Sequence, residues 1–169
     1  MTGPNGVEFV SSQATVWRWR SAYQADFAAR MQWSVTSRFE DANHAPVAVV
    51  NDHCGLAPVE ITMQPNQTVR LDATSSYDPD GDKLSFKWWQ YLEPSVLQFP
   101  PSEQLSLKIE GASTPNPNIT LPSANVLWQD HTASGSRLDR TLHLILEVSD
   151  GVLVSYRRVL VKFDISKTG

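Results

Sequence analysis

The sequence has very little cysteine: Cys54 is the only one in 169 residues. A single thiol excludes a disulfide within the chain and a zinc site built from several cysteines. Long apolar runs are missing too, because no segment reaches the roughly 20 residues that a membrane-spanning helix needs. Residues 1–16 are mostly polar and lack the apolar core of a signal peptide. We therefore expect no membrane partner, and the chain shows no visible secretory signal.

A surplus of positive charge is also missing. Fourteen Lys and Arg residues stand against eighteen Asp and Glu, which gives a formal net charge of −4. Proteins dedicated to nucleic acids carry a basic surface that faces the phosphates, so this balance argues against such a partner. The hydrophobic fraction of 41% is sufficient for a packed core and excludes a fully disordered chain.

After residue 43 the sequence alternates like a β protein. Apolar side chains occupy every second position of several short segments, which is typical of strands with one buried face. Residues 45–50 predict an edge strand, Asp150-Gly151 predicts a two-residue hairpin turn, and the segments 93–103 and 111–125 predict long loops. We expect an all-β antiparallel sandwich whose buried residues are Val69, Leu71, Phe86, Trp88, Leu142, Leu144, Leu146, Val148, Val159, Val161 and Phe163.

The N-terminal segment has helical periodicity instead. Ser21 and Gln24 predict a capping box at the start of a helix over about 21–33, and Tyr23, Phe27 and Met31 form an apolar stripe. A short isolated helix is marginal in water, so this stripe must pack on the following domain or on an upstream one. We divide the chain into an N-terminal linker, 1–42, and a β domain, 43–169. Trp17 and Trp19 alternate with arginines, which favours a cation–π cluster where the two parts meet.

The segment 71–91 carries the densest group of acidic residues. Asp78, Asp80 and Asp82 alternate with Pro79 and Gly81. Calcium takes six to eight oxygen ligands, and acids that alternate in a tight turn can direct several oxygens inward. A solvated β-turn explains the same aspartate, proline and glycine residues equally well. From the residues alone, both interpretations stay open.

Residues 73–88 resemble the S-x-D-P-D-G-D-x-L-x-Y-x-W signature of polycystic-kidney-disease-type (PKD) and cadherin-like domains. The segment 43–46, Asn-His-Ala-Pro, resembles the opening of those domains, and Asp150-Gly151 falls between the last two strands as it does there. The resemblance implies an immunoglobulin-like sandwich, in which these segments meet at one end. We therefore expect a structural calcium ion bound by Asn43, Asp78, Asp80, Asp82 and Asp150.

Segments 17–33, 43–46 and 87–93 together resemble a narrower family of secreted bacterial and fungal proteins described as cellulose-binding. Their N-terminal domain is nucleoside-hydrolase-like, and this chain resembles the linker and the C-terminal domain. The resemblance implies an extracellular location and a partner that is either a polysaccharide such as cellulose or an upstream hydrolase-like domain. Trp89, Tyr91 and Trp128 are the candidate sugar-stacking residues. For Trp89 and Tyr91 the sequence favours packing against the N-terminal helix, because the stripe of that helix needs a partner. Trp128 is either a surface platform or a plug beneath its loop.

Catalytic motifs are missing from the sequence. The four histidines, His44, His53, His131 and His143, belong to no nucleophile motif, and there is neither a G-x-S-x-G nor an H-E-x-x-H segment. We expect a non-catalytic accessory module that binds carbohydrate or docks a hydrolase-like domain. Two alternatives remain, a C-terminal fragment of a nucleoside-hydrolase-like or glycoside hydrolase enzyme and a structural spacer stiffened by calcium.

Overall fold

The computed structural model describes residues 14–95, 106–127 and 141–163, and these are mostly β with little helix. The helical elements are α1 (Ala14–Trp17), α2 (Arg20–Val35), a 3₁₀ helix (Phe39–Asp41) and α3 (Leu92–Ser95). The strands are β1 (Val59–Met63), β2 (Thr68–Arg70), β3 (Ser85–Tyr91), β4 (Lys108–Glu110), β5 (Asn118–Thr120), β6 (Thr141–Ser149) and β7 (Val154–Phe163).

The strands form two sheets. One has the order β1-β7-β6-β3, and the other has the order β2-β5-β4. Neighbours are antiparallel except β1 and β7, which run parallel with Val59 opposite Val159. The prediction of a wholly antiparallel sandwich is therefore wrong at this edge. The prediction fails there because β1 is not among the segments in which alternation is recognised, so its pairing with the last strand is not predicted. The immunoglobulin-like strand order stays a prediction.

Both sheets contribute to one hydrophobic core. Ile119 of β5 and Leu121 just after it join Leu144 of β6 and Trp88 of β3 in a single buried cluster. Most of the predicted core is confirmed: Leu71, Trp88, Leu142, Leu144, Leu146, Val148, Val159 and Val161 are buried. Three further predicted residues are only partly buried and pack against this cluster: Val69, Phe86 and Phe163.

Two local predictions are wrong, one of a strand and one of a loop. Residues 45–50 form no strand and make only isolated bridges, Val47 with Tyr77 and Val50 with His53. Their backbone groups are satisfied differently, since the Val49 N–H donates to the Ser76 side chain. The segment 111–125 is not a continuous loop, because β5 lies within it and pairs with both β2 and β4. Strands of three residues are too short for an alternating pattern to show.

The last hairpin has a four-residue loop, 150–153, in place of the predicted two-residue turn. Gly151 has the positive φ of 103° that the turn requires. Asp150 sets the length of the loop, because its Oδ1 accepts hydrogen bonds from the backbone N–H groups of Val152 and Leu153, each at 2.6 Å. Ser149 and Val154 then close the strand ladder.

Helix α2 is longer than predicted and begins differently. Trp19 precedes its first residue without a side-chain cap, and Ser21 lies inside the first turn, so the predicted capping box is wrong. Ala29 is buried, whereas Tyr23, Phe27 and Met31 are 48%, 63% and 50% exposed. The apolar stripe therefore does not pack on the β domain. Within the described ranges, no helix combines the length and hydropathy needed to cross a bilayer.

Candidate functional site

Aromatic side chains gather on the outer face of the four-stranded sheet. In β3, Trp88 points into the core and is 2% exposed. Side chains alternate along a strand, so Trp89 and Tyr91 point to the opposite face, where they are half-buried. Ile145 of β6 lies opposite Trp89, and Glu147, two residues further along β6, has its side chain on the same face. Tyr156 of β7 lies opposite Glu147, so it stands on the same face as Trp89. Trp19, Trp89, Tyr91 and Tyr156 are called the aromatic cluster from here on.

Trp19 of the linker holds the aromatic cluster together. Its ring centroid lies 5.6 Å from Trp89, 5.9 Å from Tyr91 and 4.8 Å from Tyr156. The Arg18 guanidinium carbon lies 5.2 Å from the Trp89 ring and 5.0 Å from the Tyr91 ring. Trp89 and Tyr91 thus contact the N-terminal segment through Arg18 and Trp19, not through the stripe that the sequence favoured. Such pairs add about 0.5–1.5 kcal/mol each beyond simple burial.

Charged side chains surround the cluster. Arg18 forms an ion pair with Glu93, with a hydrogen bond from Nη1 to Oε2 of 3.1 Å. Burial alone would raise the pKa of Glu93, but the hydrogen bond and charge of Arg18 outweigh it and the pKa is lowered. Trp89 Nε1 donates to Glu147 Oε1 at 2.7 Å. Burial, with a smaller effect from the Glu147 charge, raises the pKa of Tyr156. The cluster therefore combines half-buried aromatic rings with hydrogen-bonding groups, and Arg18 and Trp19 pack on the rings of Trp89 and Tyr91.

The rings of the cluster are not coplanar. Trp19 is tilted by 36° from Trp89, by 75° from Tyr91 and by 87° from Tyr156. Trp89 and Tyr91 are tilted by 59° from each other. The cluster is therefore a folded surface with several short faces, not one flat strip.

A second group of predicted residues meets where the linker joins the β domain. Asn43 Nδ2 donates to Asp150 Oδ2 at 2.8 Å, which connects the first residue after the linker to the last hairpin. The His44 backbone N–H donates to Asp80 Oδ2 at 2.6 Å, and His44 Nδ1 lies 3.0 Å from Asp80 Oδ1. The structure thus brings Asn43 to Asp150 and the Asp-rich turn to the neighbouring histidine.

The same joint contains stacked rings and a cleft. The His44 ring lies between Phe39, at a centroid distance of 3.6 Å, and Trp33, at 5.1 Å, and both pairs are stacked. Trp33 Nε1 donates to the Asn43 carbonyl at 2.8 Å. Beside this stack is an open cleft of about 520 Å³ between the 3₁₀ helix and the Asp-rich turn. It is lined by Gln32, Phe39, Glu40, Asp41, Ala42, Asn43, Pro79, Asp80 and Asp82.

The predicted calcium ligands are mostly engaged with donors from the chain itself. Asp78 Oδ1 accepts the backbone N–H groups of Asp80 at 2.8 Å and Asp82 at 3.3 Å. Asp80 and Asp150 accept hydrogen bonds on both of their oxygens. Asp78 Oδ2 is buried and has no partner among the described residues. No group of three His, Cys, Asp or Glu side chains in the described part of the chain is placed to hold a metal ion. Calcium binding stays a prediction.

The candidate sugar-binding residues have different positions. Trp89 and Tyr91 lie together in the aromatic cluster, whereas Trp128 lies outside the described residues. The cation–π cluster expected from Trp17 and Trp19 with their arginines forms with different rings, because Arg18 lies over Trp89 and Tyr91. Tyr156 is not among the predicted site residues, although the alternation of Val159 and Val161 with Arg158, Leu160 and Lys162 marks the outward positions of β7.

Comparison with known proteins identifies the family. A family model described as the C-terminal domain of cellulose-binding protein Sde0182 matches residues 68–163, which is more than half of the chain. The chain belongs to this family. The family expected from the sequence is therefore confirmed. None of the curated proteins is similar enough to match.

Among solved structures, the chain is similar to a nucleoside hydrolase-related hypothetical protein from Saccharophagus degradans, associated with carbohydrate metabolism. The two are 29% identical with a TM-score of 0.69, and the match covers 97% of this chain and 40% of the other. This chain therefore spans well under half the length of that relative. An endo-fucoidan hydrolase of glycoside hydrolase family 107 matches 71% of this chain and 14% of its own, at 17% identity. Its TM-score of 0.41 is too low to support an argument.

Proposed function

We propose that this chain is a non-catalytic accessory module that binds a single polysaccharide chain, such as a cellulose chain, at the aromatic cluster. The observation that carries the proposal is the cluster itself, Trp19, Trp89, Tyr91 and Tyr156, held half-buried on one sheet face. Apolar ring faces stack on sugar rings, while neighbouring Arg18, Glu93 and Glu147 can exchange hydrogen bonds with hydroxyls. Membership of a family described as cellulose-binding supports the same class of ligand.

The tilt of the rings selects the form of the ligand. A flat crystalline face would need several coplanar rings, but Trp89 and Tyr91 differ by 59°. A single glycan chain can rotate about its linkages and follow faces at different angles. We therefore propose binding to amorphous or dissolved cellulose and much weaker binding to crystalline cellulose.

Affinity gels that contain dissolved hydroxyethyl cellulose, together with depletion on amorphous and crystalline cellulose, test this proposal. We expect the wild-type chain to be retarded in the gel and depleted by amorphous cellulose. The Tyr91→Ala variant should lose most of the retardation, roughly tenfold in affinity, because one stacking face is removed. Tyr77→Ala is the matched control, since Tyr77 is also an exposed aromatic residue, at 56%, but lies outside the cluster.

Three results would count against the proposal. If the gel does not retard the wild-type chain, the proposal that it binds polysaccharide is wrong. Equal losses in Tyr91→Ala and Tyr77→Ala would place binding elsewhere than the aromatic cluster. Stronger depletion by crystalline than by amorphous cellulose would contradict the inference from ring tilt. Circular dichroism of each variant separates loss of a contact from loss of the fold.

Calcium at the Asp-rich turn is a separate proposal. The buried Oδ2 of Asp78, which has no partner among the described residues, supports it, because a cation would compensate that oxygen. The engaged oxygens of Asp80 and Asp150 count against a site with all five ligands. A rise of the unfolding midpoint on adding calcium, absent in Asp78→Asn, would support the ion. An unchanged midpoint and no heat of titration would remove it.

A further inference from the structure

Helix α2 has two opposite faces of different character. The face toward the β domain carries small or half-buried residues, including Ala22, Ala29 and Trp33. At 100° per residue, the opposite face carries Tyr23, Phe27, Met31 and Val35. These four side chains are 48%, 63%, 50% and 82% exposed, and they are called the outward face of α2. A helix that only covered this domain would place its large apolar residues on the other side.

Both ends of α2 are fixed to the β domain. At its start, Trp19 packs in the aromatic cluster and Arg18 pairs with Glu93. Near its end, Trp33 stacks on His44 and donates to the Asn43 carbonyl. The outward face is therefore held in a fixed orientation before any partner arrives, which lowers the entropy lost on docking. A contiguous, rigid, exposed apolar surface of this kind marks an interaction site.

We propose that the outward face of α2 docks a nucleoside-hydrolase-related domain. The match with the Saccharophagus degradans protein covers 97% of this chain, so it includes most or all of α2, yet it covers only 40% of that protein. The larger part of the relative lies outside the match, in a protein described as nucleoside hydrolase-related. The family model is described as that of a C-terminal domain and matches residues 68–163, so α2 lies ahead of the matched residues. A covalently joined domain meets the helix at high effective concentration. This proposal is independent of polysaccharide binding.

A fusion tests the proposal directly. In it, the part of the Saccharophagus degradans chain that lies outside the match is joined to this 169-residue chain in the order that the relative has. Amide hydrogen exchange is then measured over residues 20–35 in the fusion and in the chain alone. We expect exchange to be at least tenfold slower in the fusion, because docking suppresses opening of the helix.

Matched variants identify the surface. The double substitution Phe27→Ser and Met31→Ser should return exchange over residues 20–35 to the rate of the chain alone. Leu56→Ser is the control, since Leu56 is fully exposed and lies outside the helix; it should leave the protection intact. Equal exchange rates in the fusion and the free chain would overturn the proposal, as would protection that survives the double substitution.

Two further measurements exclude other outcomes. If the fusion does not fold, the intact relative decides: its helix aligned with α2 must exchange at least tenfold more slowly than α2 in this chain, and equal rates overturn the proposal. Sedimentation of this chain alone tests for a second copy, and a dimer abolished by the double substitution would overturn the proposal in favour of self-association. Retention of the double variant on hydroxyethyl cellulose should match the wild type, so docking and sugar binding fail separately.

Discussion

Arg157 is a charged side chain in the interior of the domain. It is 4% exposed, and its Nη2 donates to the Cys54 carbonyl at 3.2 Å. Its Nε and Nη1 atoms are buried and have no hydrogen-bond partner among the described residues. An unpaired buried donor costs about 1–3 kcal/mol, and a charged one costs more. This residue is therefore a local weakness of the fold.

Replacing Arg157 with methionine should stabilise the protein. Methionine has a similar length and flexibility and needs no hydrogen bonds. We expect the free energy of unfolding to rise by about 1 kcal/mol, because the relief of two unpaired donors exceeds the loss of the bond to Cys54. Urea unfolding measures the change. A decrease would show that the guanidinium has partners that compensate its burial.

His143 gives the stability a dependence on pH. Burial lowers its pKa below 6.5, and the positive charge of Arg158, which donates to His143 Nδ1, adds to the effect. Well above pH 6.5 the His143 ring is neutral in both the folded and the unfolded chain, so it adds no pH dependence to the stability. As the pH falls through the unfolded value, the unfolded chain binds a proton more readily than the folded one, so stability is lost.

The substitution His143→Gln should flatten this dependence between about pH 7 and pH 5. We expect the unfolding midpoint of the wild type to fall more steeply over that interval than the midpoint of the variant. Thermal unfolding at several pH values measures both slopes. Identical slopes would assign the acid sensitivity to other groups.

Among the elements, the β6–β7 hairpin loop depends on one carboxylate. Asp150 accepts from Val152 and Leu153 within the loop and from Asn43, the first residue after the linker. Asp150→Ala should lower the free energy of unfolding by about 2 kcal/mol, since three donors lose their acceptor. Asp150→Asn keeps one acceptor oxygen and should lose less. Equal losses in chemical unfolding would show that charge, not hydrogen bonding, determines the effect.

The elements with long patterns were the predictable ones. β6 and β7 span nine and ten residues, so their alternation was clear and most of their buried faces were confirmed. β2, β4 and β5 have three residues each, which is too short for a period to show. The parallel partner β1 depends on a contact with a strand far along the chain, which no local pattern reports.

In the candidate site, too, the residues identified by a local pattern were predictable, whereas contacts between distant segments were not. Arg18 and Trp19 were expected at the junction because alternating aromatic and basic residues are visible locally. Their contact with Tyr156 was not, since it depends on how β7 is placed in the sheet. The Asp-rich turn was recognised by its motif, but the motif does not show that His44 and backbone amides hold its carboxylates.

At the scale of the whole molecule, Trp19 connects the linker to the sheet. Trp19→Ala should release the start of α2, because it removes ring contacts with Trp89, Tyr91 and Tyr156. We expect limited proteolysis within residues 14–35 to accelerate roughly tenfold, which corresponds to about 1.4 kcal/mol of easier local opening. The overall unfolding midpoint should change little. Unchanged cleavage would show that the stack at His44 alone holds the helix.

The pairing of β1 with β7 has a consequence for how the protein is made. Val59 and Val159 lie opposite each other although a hundred residues separate them in the chain, and among the described strands β1 has only β7 as a neighbour. During synthesis, β1 therefore leaves the ribosome long before its partner exists. The backbone N–H and C=O groups of β1 stay without their strand partner until almost the whole domain has emerged. The last strand, β7, must then insert between β1 and β6. A translation product that stops before β7 leaves two open strand edges, and we expect it to be captured by chaperones or degraded.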